Sequence, residues 1–302
     1  MRAKIPELKL IALADDQYME RRATSPSVAI ALGGGGARGL AHIVALEACE
    51  ELGIRPVAIS GTSIGAIVGA TFAAGLEARQ IHAHILASMR NRSKVMGNLL
   101  RARVGRFSDL VLRGVGNPVM LDSQTCLDLF WPDKVPDHFS QLSTALYVVA
   151  TDFHACSEVV FSTGVLAPAV ASSMAIPGLF RPVEFAGRVL VDGGAVNPLP
   201  YDLLFDRADI VVAVDVTFGG RMRVRRMPTP FGAMFGTAQI MQGAITAQKI
   251  KIRPPDILLR PPVQRFSVLD FLRAGQILRA AEFAKDDLKR ALNLRVSALQ
   301  RA

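Results

Sequence analysis

Val57-Ala-Ile-Ser-Gly61-Thr-Ser63-Ile-Gly65-Ala-Ile-Val-Gly69 is the stretch whose reading decides the architecture of this chain. A short β-branched apolar run, carrying Val57 and Ile59, ends in Gly-x-Ser-x-Gly, and an alanine-rich segment follows. That order predicts a strand, a tight turn and a helix, with the turn lifting one serine out of the backbone as a nucleophile elbow does. Gly61 and Gly65 have a steric role there, because strand and helix come close around a strained residue and a Cβ on either side collides. The helix after Ser63 also points its free N–H groups and positive dipole end at the serine. A membrane span is the rival reading: Val57 to Leu76 is uncharged, and Gly61, Gly65 and Gly69 share small-xxx-small spacing. The segment is mostly Ala, Gly, Ser and Thr, however, and begins in a strand-like run after Arg55-Pro56. The strand–turn–helix is preferred.

Upstream, Ser27-Val-Ala-Ile-Ala-Leu32 reads as a strand running into Gly33-Gly34-Gly35-Gly36-Ala37-Arg38-Gly39. A helix follows from Leu40 to Leu52, with Gly53 as its stop. Strand, glycine loop and helix together cradle an anion, since backbone N–H groups converge where the helix dipole is positive. A phosphate loop needs Lys and Ser/Thr after its last glycine, and here Leu40-Ala41 follow. A dinucleotide site wants an acidic residue ending the next strand, which ends instead in Ser60-Gly61-Thr62-Ser63. An acyl oxyanion remains. Arg38 is a cation in a helix's first turn, disfavoured by roughly 0.3–1 kcal/mol; it is either solvated or turned toward an anionic substrate or a structural carboxylate.

Downstream, residues 77–137 read as helical and basic, with His82, His84 and seven Arg or Lys between Arg90 and Arg113. Ala145–Ala150 and Val159–Phe161 read as strands, and Ala169–Met174 as a small-residue helix stopped at Ile176-Pro177-Gly178. Arg188–Val191 is a strand ending in Asp192-Gly193-Gly194, and Ala208–Val214 is another. Strands alternating with helices imply a three-layer α/β/α fold, its central sheet mostly parallel, with reactive groups at the strands' carboxyl ends. Residues 1–26 form a lead-in, 27–217 the core, and 218–302 a C-terminal part of the same domain. That part begins with the basic tract Arg221–Arg226, continues through an uncharged Met- and Phe-bearing segment to Gln248 suited to a lid or interfacial role, and adds one short strand within 254–262. An amphipathic helix from Ser267 to Gln300 closes the chain, with Leu269, Leu272, Leu288 and Leu292 inward.

Half of the 302 residues are hydrophobic and a fifth charged, which describes a folded globule. The net charge of +9 calls for an anionic partner. With aromatics at 6% and no zinc-finger or RNA-binding motif, nucleic acid is not expected, and a phospholipid surface is. Three widely spaced cysteines, Cys49, Cys126 and Cys156, point to a reducing compartment, and Met1–Glu20 does not read as a secretory signal, so the cytoplasm is expected.

A serine hydroxyl needs a base to become a nucleophile. The five histidines, His42, His82, His84, His138 and His154, all precede residue 155, so a base in the C-terminal half must be something else. Asp192 can serve if it lies within hydrogen-bond reach of Ser63 and is partly desolvated, which raises its pKa. Three motifs in order resemble the patatin-like phospholipases, serine acyl hydrolases with a Ser–Asp dyad. They are Gly34-Gly-Gly36-Ala-Arg38-Gly39 as oxyanion loop, Gly61-Thr-Ser63-Ile-Gly65 as elbow, and Asp192-Gly-Gly194. Ala150-Thr-Asp152 and Ala171-Ser-Ser-Met-Ala-Ile-Pro-Gly178 add to a similarity that covers about residues 27–217. The resemblance implies a patatin-like fold related to the α/β-hydrolases. It also implies attack by Ser63 on a fatty-acyl ester, Asp192 as base, and an oxyanion bound by N–H groups from Gly34 to Ala37 with that of Ile64. No cofactor is implied, and the absence of a close His/Cys/Asp cluster argues against a metal. Rival functions are acyl transfer or thioester hydrolysis on carrier-bound acyl groups, a non-catalytic regulator retaining the fold, and a triad built on His154.

Overall fold

Alternation within Val28-Ala29-Ile30-Ala31-Leu32 sorts the first strand's side chains onto two faces. Val28, Ile30 and Leu32 enter the main core, while Ala29 and Ala31 enter a second, smaller one with Leu199, Tyr201 and Leu204. The computed structural model describes residues 25–90, 103–104, 120–128, 130–217 and 227–301. Its elements are β1 (Val28–Leu32), α1 (Ala41–Glu51), β2 (Ala58–Thr62), α2 (Ile64–Ala73), α3 (Ala78–Arg90), β3 (Arg103–Val104) and β4 (Met120–Leu121), followed by α4 (Ser123–Leu127), β5 (Ala145–Asp152), β6 (Ser157–Phe161) and α5 (Leu166–Ser173). The chain continues through β7 (Val183–Phe185), β8 (Arg188–Asp192), β9 (Ile210–Val214), α6 (Pro230–Ile252), β10 (Ile257–Leu259), α7 (Ala274–Ala281) and α8 (Phe283–Leu299). A 3-10 turn, Gly36–Leu40, leads into α1.

The main sheet has eight strands ordered β10-β9-β1-β2-β5-β8-β7, with β6 also paired to β5. Its β10-β9-β1-β2-β5 portion is parallel, and β6 and β8 run antiparallel to β5. The register sets the site. Thr62 pairs with Val149 and Asp192 with Ala150, while β6 takes the other edge of β5 at those same residues, so β2 and β8 end toward each other on one edge of β5 and bring Ser63 and Asp192 to neighbouring positions.

The uncharged stretch from Val57 to Leu76 is a strand and a ten-residue helix, and among the described residues no helix is long and apolar enough to cross a membrane. The C-terminal reading is corrected in part. Leu288 and Leu292 are buried, but Leu269 and Leu272 are exposed, because the helix does not begin at Ser267. Asp270 accepts from the Ser267 N–H in a turn, a 3-10 segment follows, and α7 starts only at Ala274. The basic residues from Arg92 to Arg113 fall outside the described residues apart from Arg103 in β3, as does Arg221–Arg226.

Candidate active site

Ser63 sits in a strained turn between β2 and α2. Its φ of 57° and ψ of −123° lie in a region costing about 1–3 kcal/mol for a residue with a side chain. Packing holds it there. A Cβ on Gly65 would lie 2.0 Å from the Leu32 carbonyl oxygen, and one on Gly61 2.6 Å from that of Gly65. Both contacts are with backbone, so neither can be relieved by a rotamer change, as the steric reading of the two glycines requires. Gly65→Ala should therefore destabilise the fold by about 3 kcal/mol or more. Urea unfolding reads this directly, and a midpoint within error of wild type would mean strand and helix do not approach this closely. The Ser63 N–H is also fixed, donating to Ser173 Oγ at 2.8 Å, whose own proton goes to the Val149 carbonyl at 2.5 Å.

Asp192 ends β8 under similar control. Its N–H donates to the Ala175 carbonyl (2.9 Å), and its carbonyl accepts from the Thr151 hydroxyl (2.9 Å). Oδ1 accepts from the Gly194 N–H at 2.7 Å. Oδ2 has no partner of good hydrogen-bond geometry among the described residues, yet the Ser63 hydroxyl is near enough to act on the carboxylate as a donor. The two statements agree if the hydroxyl is adjacent but not aligned, as is common in an unliganded site. Burial dominates and pushes the Asp192 pKa up to about 6, with Ser63 and Gly194 pulling the other way.

Ser63 and Asp192 open onto one cavity of about 50 Å³, whose lining includes Gly35, Gly36 and Arg38. Not every N–H of the glycine loop faces it. Gly34 donates to the Pro198 carbonyl (2.9 Å) and Ala37 to that of Val268 (2.8 Å), so those two members of the expected donor set are already engaged. Gly35 and Gly36, at φ 153° and 57°, make no such bond among the described residues, and neither does the N–H of Ile64 at the start of α2. Gly39 lies on the 3-10 turn, where a Cβ would meet Ile64 Cγ2 at 2.1 Å. Arg38 is not solvated. It is buried, with Nε donating to the Phe266 carbonyl (2.7 Å) and Nη2 to Gln239 Oε1 (3.0 Å). No imidazole lines the cavity: His154 is exposed at the β5–β6 turn, and His42 bonds the Gly33 carbonyl from beneath.

Helix α6 supplies the fourth wall through Phe235, Ala238, Gln239 and Gln242. Its firmest polar ties are at its C-terminal end. Lys249 Nζ donates to Asn197 Oδ1 (2.6 Å) and the Leu199 carbonyl (3.0 Å) and pairs with Asp202, while the Tyr201 hydroxyl donates to the Arg253 carbonyl (3.0 Å). Its outer surface leaves Met234, Ile240 and Met241 exposed. Sequence reasoning missed Ser173, Thr151 and Asn197 as individuals. Ser173 sat inside a segment read as a small-residue helix, Thr151 in one noted for its resemblance, and Asn197 in a Pro-rich turn.

A mixed α/β sheet that presents a strained serine and a buried carboxylate to one glycine-lined cavity has the layout of a serine hydrolase. The sequence model of the patatin-like phospholipase family matches residues 30–205, and the chain belongs to that family, a class of ester-hydrolysing enzymes. An uncharacterised NTE family protein of Mycobacterium tuberculosis is 37% identical over 197 residues, covering 65% of this chain and 51% of that protein. Lysophospholipase NTE1 of Coccidioides immitis is 27% identical over 308 residues, covering 92% of this chain and 18% of its own length. The chain thus spans about half of the mycobacterial relative and a smaller part of the fungal one. Among solved structures, VipD from Legionella pneumophila overlays with a TM-score of 0.45 at 14% identity, covering 88% of this chain and 67% of that one. ExoU of Pseudomonas aeruginosa, in complex with SpcU, gives 0.42 at 16%, covering 90% and 53%.

Proposed function

We propose that the chain is a serine lipid acyl hydrolase of the phospholipase A or lysophospholipase type, with Ser63 as nucleophile and Asp192 as its base. The observation that carries this is the meeting of a strained serine with a buried, partner-poor carboxylate and no imidazole between them. Asp192 takes the hydroxyl proton as Ser63 attacks the ester carbonyl, and the N–H groups of Gly35, Gly36 and Ile64 receive the developing oxyanion. Each such donor is worth about 10²–10³ in rate. The alkoxide leaves with the proton from Asp192, and a water activated by the same carboxylate then hydrolyses the acyl-serine. The names of the fungal relatives, lysophospholipases, support the lipid substrate.

A cavity of about 50 Å³ holds a few waters, whereas ligand pockets run to roughly 300–1,000 Å³. A fatty-acyl chain therefore enters only when α6 shifts. We place that event at an anionic membrane surface on the cytoplasmic side, reached peripherally, where Met234, Ile240 and Met241 meet the lipid and the +9 charge favours approach. Fatty-acid release from phospholipid and lysophospholipid vesicles, beside an acyl thioester, tests the reading across pH 4.5 to 8.5. A base must be ionised to accept a proton, so the rate falls as pH drops through about 6, with ester preferred over thioester. A faster thioester reaction, or a rate flat across that range, would count against it.

A further inference from the structure

Four consecutive glycines, Gly33 to Gly36, are the most flexible backbone a chain can place beside a reacting atom. Left alone, such a loop scatters its N–H vectors over many orientations, and ordering it is entropically unfavourable. This loop is pinned from outside. The Gly33 N–H donates to the Val214 carbonyl (3.2 Å), and beyond the glycines Ala37 donates to Val268. Between those points one peptide plane, Gly33–Gly34, is held at both of its polar ends. Its N–H, on Gly34, donates to the Pro198 carbonyl (2.9 Å), and its carbonyl, on Gly33, receives the ring of His42 at 2.7 Å. The next two residues are Gly35 and Gly36, whose N–H groups are unengaged among the described residues.

His42 is an expensive choice for this position. It lies in α1 among Ala41, Ile43, Val44 and Leu46, all buried like itself. A carbonyl only accepts, so Nε2 carries the proton; burial keeps the ring neutral at ordinary pH, with Asp215, itself engaged by Thr217 and Arg260, opposing that shift. Nδ1 is then an acceptor with no partner among the described residues, a destabilising arrangement for a buried polar atom. Phenylalanine would fill the same space without that orphaned nitrogen. What it lacks is the donor to Gly33.

We propose that His42 is a positioning residue: a buried neutral imidazole that locks the Gly33–Gly34 peptide plane and so keeps the N–H groups of Gly35 and Gly36 aimed into the cavity at Ser63. The inference rests on reading that loop as the oxyanion site, and it assigns His42 no contact with substrate.

His42→Phe and His42→Gln test it in the full chain, with a soluble p-nitrophenyl ester that needs no membrane. The glutamine amide N–H reaches close to where Nε2 sits; the phenyl ring offers nothing. His42→Phe should lose about 10- to 100-fold in kcat, part of the worth of an oxyanion donor, with KM within about twofold. Its Tm should stay within a few degrees, since losing the partner of one carbonyl is offset by removing an orphaned nitrogen. His42→Gln should recover at least about tenfold over His42→Phe, and covalent labelling by a fluorophosphonate should follow kcat in both. A His42→Phe enzyme as fast as wild type, a His42→Gln enzyme no better than His42→Phe, or a loss that merely tracks Tm would each overturn the proposal. Amide hydrogen exchange at residues 33–37 separates this inference from the catalytic reading. Even if wild type and Ser63→Ala prove equally inert, exchange should quicken at least about tenfold in His42→Phe and return toward wild type in His42→Gln. Equal exchange in all three would sink the proposal on its own.

Discussion

Ser63→Ala is expected to lower fatty-acyl ester turnover by about 10³- to 10⁶-fold without weakening the fold. The second half of that statement is what makes the first informative. Alanine keeps the Cβ, so the strain at φ 57° is unchanged, and the N–H still donates to Ser173 Oγ. The missing oxygen is the one that carries the acyl group in the proposed mechanism. Initial rates, fluorophosphonate labelling and the mass of the trapped acyl-enzyme measure the effect, with thermal unfolding as the control. Retention of more than about a hundredth of the wild-type rate would move the nucleophile elsewhere.

Asp192→Asn should act in two opposite directions. Turnover falls by about 10³-fold or more, because an amide cannot accept the serine proton. Stability rises, by an amount set by pH. The Asp192 carboxyl titrates near 6 in the fold against an ordinary 3.8, so its folded-state pKa is raised. Below 3.8 the group is protonated in both states and costs nothing; as pH climbs through about 6 the folded state must hold a buried charge and stability is lost. At about 1.4 kcal/mol per pKa unit the loss above pH 7 is on the order of 2–3 kcal/mol. The asparagine variant escapes it while still accepting from the Gly194 N–H. Urea midpoints should separate in its favour at pH 8 and converge by pH 4. A gap of equal size at both values would show that burial does not strain the native carboxylate.

Most of the site's framework was legible because it is local in sequence. Gly61, Ser63 and Gly65 lie within five residues, and their collisions follow from the turn itself. Val28 to Leu32 and Ala145 to Ala150 carry their strand character in their own side chains, and Asp192 stood out by closing such a strand. What was hidden depends on partners far away. Nothing near Gly34, Ala37 or Arg38 shows that Pro198, Val268 and Phe266 consume their donors, so more of the loop's N–H groups looked available than are, and the reading of Arg38 stayed open between solvent, an anionic substrate and a structural carboxylate. The role of His42 was invisible for the same reason: a histidine among apolar neighbours reads as core until the carbonyl it meets is known. Leu269 and Leu272 misled because helical spacing continued across Asp270, whose side chain bends the chain into a turn. Helix α6 resisted assignment because its Met, Phe, Ile and Gln residues are spread around it without one apolar stripe.

The anchorage of α6 makes that helix a lever with its fulcrum at Lys249. The ammonium grips Asn197 and the Leu199 carbonyl, five and seven positions beyond the carboxylate of Asp192. The walls that crowd the cavity, Phe235 and Ala238, lie about three to four helical turns from that grip, so a small tilt there sweeps them a long way. The same tilt tugs on the segment bearing Asp192, and under the proposed mechanism admission of a chain and adjustment of the proton acceptor become one movement.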